Sequence, residues 1–312
     1  FGSSIALRST DTRLNFLPLF HTAGINLHTL PTLIAGGRVI VLPGFDADAM
    51  VSLIEAKRLD TIFAVPTVYQ ALLDHPRFAA APLGHVRHWS CGGAPLPDAL
   101  VERYRALGVR VCNGMGMSET GPTAFLADPE DAWTKVGSVG KPRLLCSVRI
   151  VDEEGRDVAD GEVGDLLFSG PAITPGYWRD EEATRAAFTS DGWLRSGDLA
   201  WRDPEGFYYI AGRRKDMFIS GGENVYPAEI ENILVAHPAI AEAAVVAAPH
   251  EKWGEVGRAF ILPAGPSLPE EGELMAYCRA RLAAYKVPRS FEIVTDFPRT
   301  AAGKIQKHLL PR

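Results

Sequence analysis

Short apolar runs alternate with segments of helical period over the first part of the chain, and this alternation limits the fold more than any other feature. Continuous apolar runs are typical of strands buried on both faces of a sheet. Because one helix separates each strand from the next, we expect parallel pairing through crossover connections. The predicted strands span residues 14–17, 38–42, 61–65, 86–90 and 110–112, and the predicted helices span residues 47–57, 68–73 and 97–107.

The pattern changes after Gly137, where apolar and polar residues alternate between turn sequences. Residues 152–155 (DEEG) and 203–206 (DPEG) have the composition of tight turns. Such turns between alternating runs predict antiparallel hairpins. The runs span residues 147–151, 162–169 and 199–210.

A third pattern begins near Lys215 and mixes two helices with three strands. The helices are predicted at 227–234 and 270–284, and the strands at 243–247, 259–262 and 291–294. The charged, non-periodic stretch 212–216 is the best boundary. We therefore predict an α/β protein. Its large N-terminal domain, residues 1–214, combines a parallel sheet and helices with an antiparallel β subdomain, and a small α+β C-terminal domain covers residues 215–312.

Composition and charge exclude several classes of function. The chain has 38 acidic and 32 basic residues, so its formal charge of -6 disfavours nucleic acid as a partner. The four cysteines, at positions 91, 112, 146 and 278, form no C-x-x-C pair, which disfavours a zinc site or a disulfide framework. Apolar runs such as 239–249 are too short to cross a bilayer. A cytoplasmic protein without a transmembrane segment is expected.

Residues 113–121 (NGMGMSETG) follow a predicted strand and combine glycines with polar side chains. We expect a ligand-binding loop here, because glycine lets the backbone turn sharply and approach a ligand. Ser118 is suited to donating to a phosphate, and Glu119 to holding Mg²⁺. The alternative is a plain strand-to-helix turn in which Ser118 is the N-cap. The G-x-S-x-G pattern of a hydrolase is absent, since Thr120 follows Glu119.

Three further charged residues are candidates for binding a nucleotide. Asp198 follows a Ser-Gly turn and has the acceptors to bind a ribose diol, although taken alone it is more typical of a turn residue. Arg213, fifteen residues later, adds a guanidinium suited to a sugar or a phosphate. Lys304 follows Gly303 near the end of the chain, where a lone lysine is ordinarily a solvated surface residue. A Walker A sequence is absent.

Taken in order, the motifs resemble those of the adenylate-forming superfamily of acyl-CoA synthetases, non-ribosomal adenylation domains and firefly-type luciferases. The match extends over nearly the whole chain, and the forms GGENVYP and GKIQK are typical of the acyl-CoA synthetases. The matching segments are 17–21 (LPLFH), 92–96 (GGAPL), 116–120 (GMSET), 176–178 (GYW), 191–198 (DGWLRSGD), 212–216 (GRRKD), 220–227 (SGGENVYP) and 298–304 (PRTAAGK).

The resemblance implies a reaction in two halves. A carboxylate first attacks the α-phosphate of ATP to form an acyl-adenylate, and the thiol of CoA then displaces AMP. The developing negative charge calls for Mg²⁺ and a fixed cation. By resemblance, Glu119 holds the Mg²⁺, Lys304 is the catalytic cation and Ser118 meets the α-phosphate. Asp198 and Arg213 bind the ribose. The residues that line the adenine are Gly93, Ala94, Gly114, Met115 and Gly116, with Met115 in place of the family's stacking aromatic residue.

The resemblance also implies an acyl pocket, a CoA channel and a hinge. The acyl-pocket residues include no Arg or Lys to pair with a second carboxylate, which favours an aliphatic or aromatic mono-acid. These residues are His21, Thr22, Asn26, Gly92, Gly93, Asn113 and Gly114. Ser220, Gly221 and Gly222 border the path of the pantetheine, and the small domain rotates about Lys215 between the two half-reactions.

The family's Ser/Thr/Gly-rich phosphate loop, which precedes the LPLFH segment, is absent from this sequence. We therefore expect the large domain to be incomplete. The leading interpretation is an ATP-dependent acyl-CoA ligase whose partners are a small carboxylic acid, ATP and CoA. A homodimer is one expectation for its assembly. The alternatives are a truncated nucleotide- and CoA-binding module without adenylation activity, and an adenylation enzyme that loads a carrier protein.

Overall fold

The computed structural model describes residues 1–266, 270–300 and 303–311. By their contacts the residues form two compact units. The first unit comprises Phe1–Ser196 and Trp201–Tyr209, and the second comprises Gly197–Ala200 and Ile210–Arg312. The predicted domain boundary after residue 214 stays a prediction.

The first unit begins with a small parallel sheet of two strands, β1 (Thr12–Asn15) and β2 (Arg38–Val41). The connection between them is helical. It consists of a π-helical segment, Ala23–Thr29, and a short helix, α1 (Leu30–Ile34). The strand predicted at 14–17 therefore lies two residues earlier in the structure.

A mixed sheet of nine strands follows, in the order β3-β4-β5-β6-β7-β11-β10-β9-β8. Its strands are β3 (Thr61–Ala64), β4 (His88–Cys91), β5 (Val111–Met117), β6 (Gly121–Leu126), β7 (Ser138–Pro142), β8 (Ser147–Val151), β9 (Gly164–Ser169), β10 (Leu194–Arg202) and β11 (Tyr208–Arg213). The accompanying helices are α2 (Ala47–Glu55), α3 (Pro66–Asp74), α4 (Asp98–Ala106) and α5 (Glu181–Ala187). β3, β4 and β5 pair in parallel, as the strand-helix alternation predicted, and β8 and β9 pair antiparallel.

Interlocked aromatic side chains hold α3 and α4 against the parallel strands. The rings of Tyr69 and Tyr104 pack edge to face at 5.1 Å. Their buried hydroxyls are both satisfied, because Tyr69 donates to the Ser90 carbonyl and Tyr104 donates to the Tyr69 carbonyl. The core thus fixes the carboxyl ends of β4 and β5, where the predicted nucleotide residues begin.

The second unit contains a sheet in the order β13-β12-β15-β14, with β16 parallel to β15. Its elements are β12 (Phe218–Ser220), β13 (Glu223–Val225), α6 (Pro227–Val235), β14 (Ile240–His250), β15 (Gly254–Pro263), α7 (Glu271–Arg279) and β16 (Ser290–Ile293). Ile230 and Leu234 of α6 and Leu274 of α7 are buried in its core. This arrangement confirms the predicted α+β unit and, with the first unit, the predicted fold class.

The expectation that residues 113–121 form a loop is wrong for most of the segment. β5 continues through Met117 and pairs antiparallel with β6, which begins at Gly121, so no helix starts at Ser118. The physical reason is close backbone approach. A Cβ on Gly114 would lie 2.9 Å from the Phe125 oxygen, and one on Gly116 would lie 2.4 Å from the Pro122 carbonyl carbon. Glycine here permits a strand to pair tightly and does not end it.

The Ser-Gly pair before Asp198 is likewise not a turn. Residues 194–202 form β10, although Gly197 has a φ of +73°. Among the described helices, none combines the length and apolar composition that crossing a bilayer requires.

Candidate active site

The turn between β5 and β6 presents Ser118 and Glu119. Thr120 holds this turn, since its buried hydroxyl accepts from the Met117 amide at 3.1 Å and lies 2.9 Å from the Gly121 carbonyl. Ser118 is exposed and Glu119 is half-buried. The turn therefore leaves a hydroxyl and a carboxylate side by side and accessible.

Tyr177, to which sequence reasoning gave no role, contacts this carboxylate. Its phenol donates to Glu119 Oε1 at 2.9 Å, and the backbone amide of Thr174 donates to the Glu119 carbonyl at 2.7 Å. The hydrogen bond to Glu119 and, secondarily, burial raise the pKa of Tyr177. The GYW motif was the available signal, but nothing in it indicates a partner 58 residues away.

The GYW motif is fixed by the start of α5. Thr184 Oγ1 accepts from the Tyr177 amide at 2.8 Å and donates to the Asp180 carbonyl at 2.7 Å. Gly176 has a φ of +148°, and a Cβ there would lie 2.6 Å from Thr184 Cγ2. A glycine before Tyr177 is thus needed for the turn that brings the phenol to Glu119.

The predicted adenine and acyl residues fall into two groups. Gly92, Gly93 and Ala94 follow β4 beside Asn113 and Gly114 of β5, and a Cβ on Gly92 would lie 3.0 Å from the Gly114 oxygen. The amide of Asn113 donates to the Ser138 carbonyl at 3.1 Å. Met115 and Gly116 continue along β5. The carboxyl ends of parallel strands are where such sheets bind ligands.

His21, Thr22 and Asn26 form the other group, at the start of the π-helical segment. The Ala23 amide donates to His21 Nδ1 at 3.1 Å, and Asn26 Nδ2 donates to Thr22 Oγ1 at 3.3 Å. A single acyl pocket shared by both groups stays a prediction.

In the second unit, Asp198, Arg213 and Lys304 come together. Arg213 Nε lies 2.8 Å from Asp198 Oδ1, with side-chain exposures of 48% and 9%. Burial raises the pKa of Asp198, an effect that the charges of Arg213 and Lys304 oppose. Partial burial of the ammonium group, followed by the charge of Arg213, lowers the pKa of Lys304, while Asp198 opposes this shift. Two cations thus share the surroundings of one buried carboxylate.

Hydrogen bonds with Thr300 hold the backbone of Lys304. The Thr300 amide donates to the Lys304 carbonyl at 2.9 Å, and the Lys304 amide donates to Thr300 Oγ1 at 3.2 Å. Gly303 has a φ of +81°. Ala301 and Ala302 of the predicted lysine motif lie outside the described residues.

Of the predicted CoA-channel residues, Ser220 ends β12, and Gly221 and Gly222 form the two-residue turn that leads to β13. Ser220 is buried, and Gly221 and Gly222 have φ values of +62° and +91°, which suits a tight hairpin. A Cβ on Gly221 would lie 2.6 Å from Trp253 Cε3, whereas one on Gly222 would meet nothing within 4 Å. Lys215, the predicted hinge, is exposed in the turn between β11 and β12.

A cavity of about 330 Å³ opens elsewhere in the first unit, and none of the predicted site residues lines it. Its cations are already paired, since Arg149 Nε lies 2.8 Å from Asp157 and Arg202 Nε lies 2.7 Å from Asp160. It offers no convergent set of unpaired groups for a substrate.

Comparison with known proteins gives the class to which this fold and these residues belong. Residues 2–178 match the AMP-binding enzyme family, and residues 229–304 match the AMP-binding enzyme C-terminal domain. The chain therefore belongs to the AMP-binding enzyme family, which confirms the resemblance drawn from the motifs.

Relatives of the chain carry the names of CoA synthases and CoA ligases. The chain is 44% identical over 301 residues to the feruloyl-CoA synthase of an Amycolatopsis species, covering 96% of this chain and 61% of that protein. It is 40% identical over 301 residues to the indoleacetate–CoA ligase of Aromatoleum aromaticum, covering 96% and 59%. The o-succinylbenzoate-CoA synthetase of Bacillus subtilis, solved with ATP and magnesium, superimposes with a TM-score of 0.89 at 35% identity, covering 99% of this chain and 63% of that one. The chain thus spans about three fifths of the length of the relatives that it matches.

Proposed function

We propose that this chain carries the catalytic residues of an acyl-CoA ligase that converts a carboxylic acid, through an acyl-adenylate, into a CoA thioester. The observation that carries the proposal is the grouping of Asp198, Arg213 and Lys304. A buried carboxylate and two cations, one with a lowered pKa, match what binding a ribose and stabilising a phosphorane-like transition state require. Relatives that are named as CoA ligases support this assignment.

In the proposed site, Asp198 accepts from both hydroxyls of the ribose, and Arg213 orients that carboxylate. Lys304, when protonated, places positive charge near the α-phosphate while pyrophosphate leaves. Ser118 donates to the phosphate from the turn after β5. Gly93, Ala94, Gly114, Met115 and Gly116 line the adenine, and the thioether of Met115 packs on the purine face.

The donor set fits Mg²⁺ held jointly with phosphate. Mg²⁺ is commonly bound by one or two carboxylates together with substrate phosphates, and Glu119 is an accessible carboxylate beside Ser118. The described residues contain no group of three or more metal-ligating side chains, so a site built wholly from protein is not available among them. When bound, the ion would neutralise phosphate charge. Tyr177 would hold Glu119 in one orientation.

The substrate we propose is an aromatic monocarboxylic acid. The acyl-pocket residues His21, Thr22, Asn26, Gly92 and Asn113 provide no guanidinium or ammonium group for a second carboxylate. The relatives with the names feruloyl-CoA synthase and indoleacetate–CoA ligase also favour an aryl acid. Ser220, Gly221 and Gly222 would border the pantetheine, Lys215 would be the hinge, and dimerisation stays a prediction.

A truncated nucleotide-binding module is the second candidate, and the 61% coverage of the feruloyl-CoA synthase favours it. Calorimetry with AMP and a pyrophosphate-release assay with ATP, Mg²⁺ and ferulate separate the two. AMP binding together with acid-dependent pyrophosphate release supports the ligase. AMP binding alone supports the module, and loss of AMP binding contradicts both. The relatives are named for CoA, so they give no support to an adenylation enzyme that loads a carrier protein.

A further inference from the structure

Arg299 connects the segment that carries Lys304 with the sheet of the second unit. Its Nη2 lies 2.7 Å from Glu242 Oε1, and its Nη1 donates to the Gly303 carbonyl at 3.3 Å. Glu242 lies on β14, and Gly303 directly precedes Lys304. One guanidinium therefore contacts both a strand of the sheet and the backbone beside the proposed catalytic cation.

The strand end of this connection is fixed by the pairing of β14 with β15. The two strands pair antiparallel from Ile240 to His250, with one irregularity of register immediately before Glu242. Irregularities of this kind change the direction in which a strand presents its side chains. The side chains of Arg299 and Glu242 are only 24% and 26% exposed, so water and salt screen their attraction less than at an open surface. The carboxylate is thus a fixed point for the guanidinium.

The turn around Lys304 is held by hydrogen bonds within itself. The Gly303 amide donates to the Thr300 carbonyl at 2.8 Å, and the Lys304 amide donates to Thr300 Oγ1 at 3.2 Å. Bonds between residues so close in the sequence fix the shape of a turn, but they do not place it relative to the sheet. The bond from Arg299 to the Gly303 carbonyl adds that placement, since the same side chain is anchored on β14.

A guanidinium is suited to holding two acceptors in a fixed relation. It is planar and presents its five N–H donors in a rigid fork, whereas the ammonium of a lysine is a single compact charge. The third nitrogen of Arg299, Nε, lies 3.6 Å from the exposed carboxylate of Asp296. Because Nη1 and Nη2 are bonded to the same carbon, the contact with Glu242 also sets the position of the donor that contacts Gly303.

The position of Lys304 matters because charge interactions depend on distance. The charges of Arg213 and Asp198 both act on the Lys304 ammonium, with opposite effects on its pKa. An ammonium displaced from these two residues would also be displaced from the nucleotide that they are proposed to bind. Misplacement of a catalytic group by about 1 Å can cost about 100-fold in rate.

We propose that Arg299 is a positioning residue for adenylate formation: by joining Glu242 to the Gly303 carbonyl, it holds the ammonium of Lys304 where charge develops as pyrophosphate leaves. The proposal rests on the proposed function, because it takes Lys304 as the catalytic cation. Arg299 acts through the backbone of the turn rather than on the substrates. Thioester formation from an adenylate that is already made therefore does not depend on it.

The first measurement uses this chain itself and requires no activity. Amide hydrogen exchange at Gly303 and Lys304 reports on the turn, and Arg299→Met should speed it by about tenfold or more. Arg299→Lys keeps the charge that pairs with Glu242 but loses the fork. It should therefore recover most of the melting temperature that Arg299→Met loses, while exchange at the turn stays faster than in the wild type.

The second measurement is activity in a chimera in which this chain replaces the matching part of the feruloyl-CoA synthase. Arg299→Met should lower kcat for ferulate-dependent pyrophosphate release by about tenfold or more and leave KM for ATP little changed, since Asp198 still binds the ribose. Thioester formation from supplied feruloyl-adenylate should be unaffected. Arg258→Met breaks a pair of similar exposure with Glu292 in the same unit and is the matched control for both measurements.

The outcomes separate this proposal from the proposed function. Unchanged exchange at Gly303 and Lys304 in Arg299→Met, or unchanged adenylation in that variant when Lys304→Ala abolishes it, would overturn the positioning role. Equal losses in both half-reactions, or full rescue of exchange and kcat by Arg299→Lys, would make Arg299 a structural ion-pair residue. If Lys304→Ala retains adenylation, the proposed function fails, and the exchange measurement still decides whether Arg299 holds the turn.

Discussion

Arg213 Nε lies 2.8 Å from Asp198 Oδ1, and the two residues differ sharply in exposure: the carboxylate is nearly buried and the guanidinium is half exposed. The guanidinium orients this buried carboxylate, and the two oxygens of a carboxylate can each accept more than one hydrogen bond.

Replacing Asp198 with Asn should weaken AMP and ATP binding together, by about tenfold or more, because the charged acceptor of the two ribose hydroxyls is lost. Calorimetry on the folded protein measures this. Asp160→Asn, at a surface ion pair with Arg202, is the control and should leave both affinities unchanged. A lower melting temperature with unaltered affinity would instead make Asp198 a structural residue. Since burial raises the pKa of Asp198, nucleotide binding should weaken with acidification at a higher pH than an ordinary aspartate would cause.

Lys304→Ala should abolish adenylate formation and spare thioester formation from supplied acyl-adenylate, since its charge matters only while pyrophosphate leaves. Both half-reactions are measured on a chimera in which this chain replaces the matching part of the feruloyl-CoA synthase. Partial burial and the charge of Arg213 lower the pKa of Lys304, so the alkaline loss of adenylation should begin below the usual range for lysine, and Lys304→Arg should move it upward. Equal losses in both half-reactions would refute the assignment.

The lowered pKa of Lys304 also predicts how the free energy of unfolding depends on pH. A lysine whose pKa is lower in the folded state binds fewer protons there than in the unfolded chain. The free energy of unfolding should therefore rise with pH between the folded and unfolded pKa values of this group. Comparing denaturant titrations of the wild type and Lys304→Met across alkaline pH isolates this contribution, and a parallel pH dependence in the two proteins would contradict it.

Tyr177→Phe should raise the Mg²⁺ concentration needed for half-maximal ATP binding by up to about tenfold, because Glu119 loses the hydrogen bond that holds it in one orientation. Calorimetry at graded Mg²⁺ measures the shift without requiring catalysis. Tyr209→Phe removes a phenol near Asp203 and serves as the control. An unchanged or lower Mg²⁺ requirement would show that Tyr177 does not position Glu119 for the ion.

Substitutions at the two glycines of the proposed CoA channel should have different effects, one on stability and the other on activity. Gly221→Ala should destabilise the fold by about 1–3 kcal/mol, since its backbone is left-handed and the new Cβ meets Trp253. Gly222→Asn should cost less, because asparagine tolerates positive φ and the space is open. In the chimera, Gly222→Asn should slow the CoA step and leave pyrophosphate release intact. Unchanged thioester turnover would place the channel elsewhere.

The sequence by itself determined the order and type of most elements. Hydrophobic periodicity located β3, β4, α2, α4 and α6 within a few residues, because these elements bury one continuous face and their pattern records that burial. The complementary chemistry of a carboxylate and a guanidinium also predicted that Asp198 and Arg213 meet although fifteen residues separate them, and the structure brings the two side chains together.

Only the tertiary structure decided how the chain uses residues 113–121 and Tyr177. Gly114 and Gly116 lie in a strand, although glycine has a low β propensity and its presence argues against a strand in the sequence. Glycine is required at both positions because the backbone of β6 approaches them closely. Tyr177 contacts Glu119, which is 58 residues away in the sequence, through a turn held by Thr184. Local periodicity carries no information about a contact between residues so far apart. Likewise, the apolar sequence of β2 is typical of an interior strand, whereas among the described strands β2 pairs with β1 alone. The local sequence pattern indicates which face of a helix or strand is buried. Which element packs against that face depends on contacts between residues that are distant in the sequence.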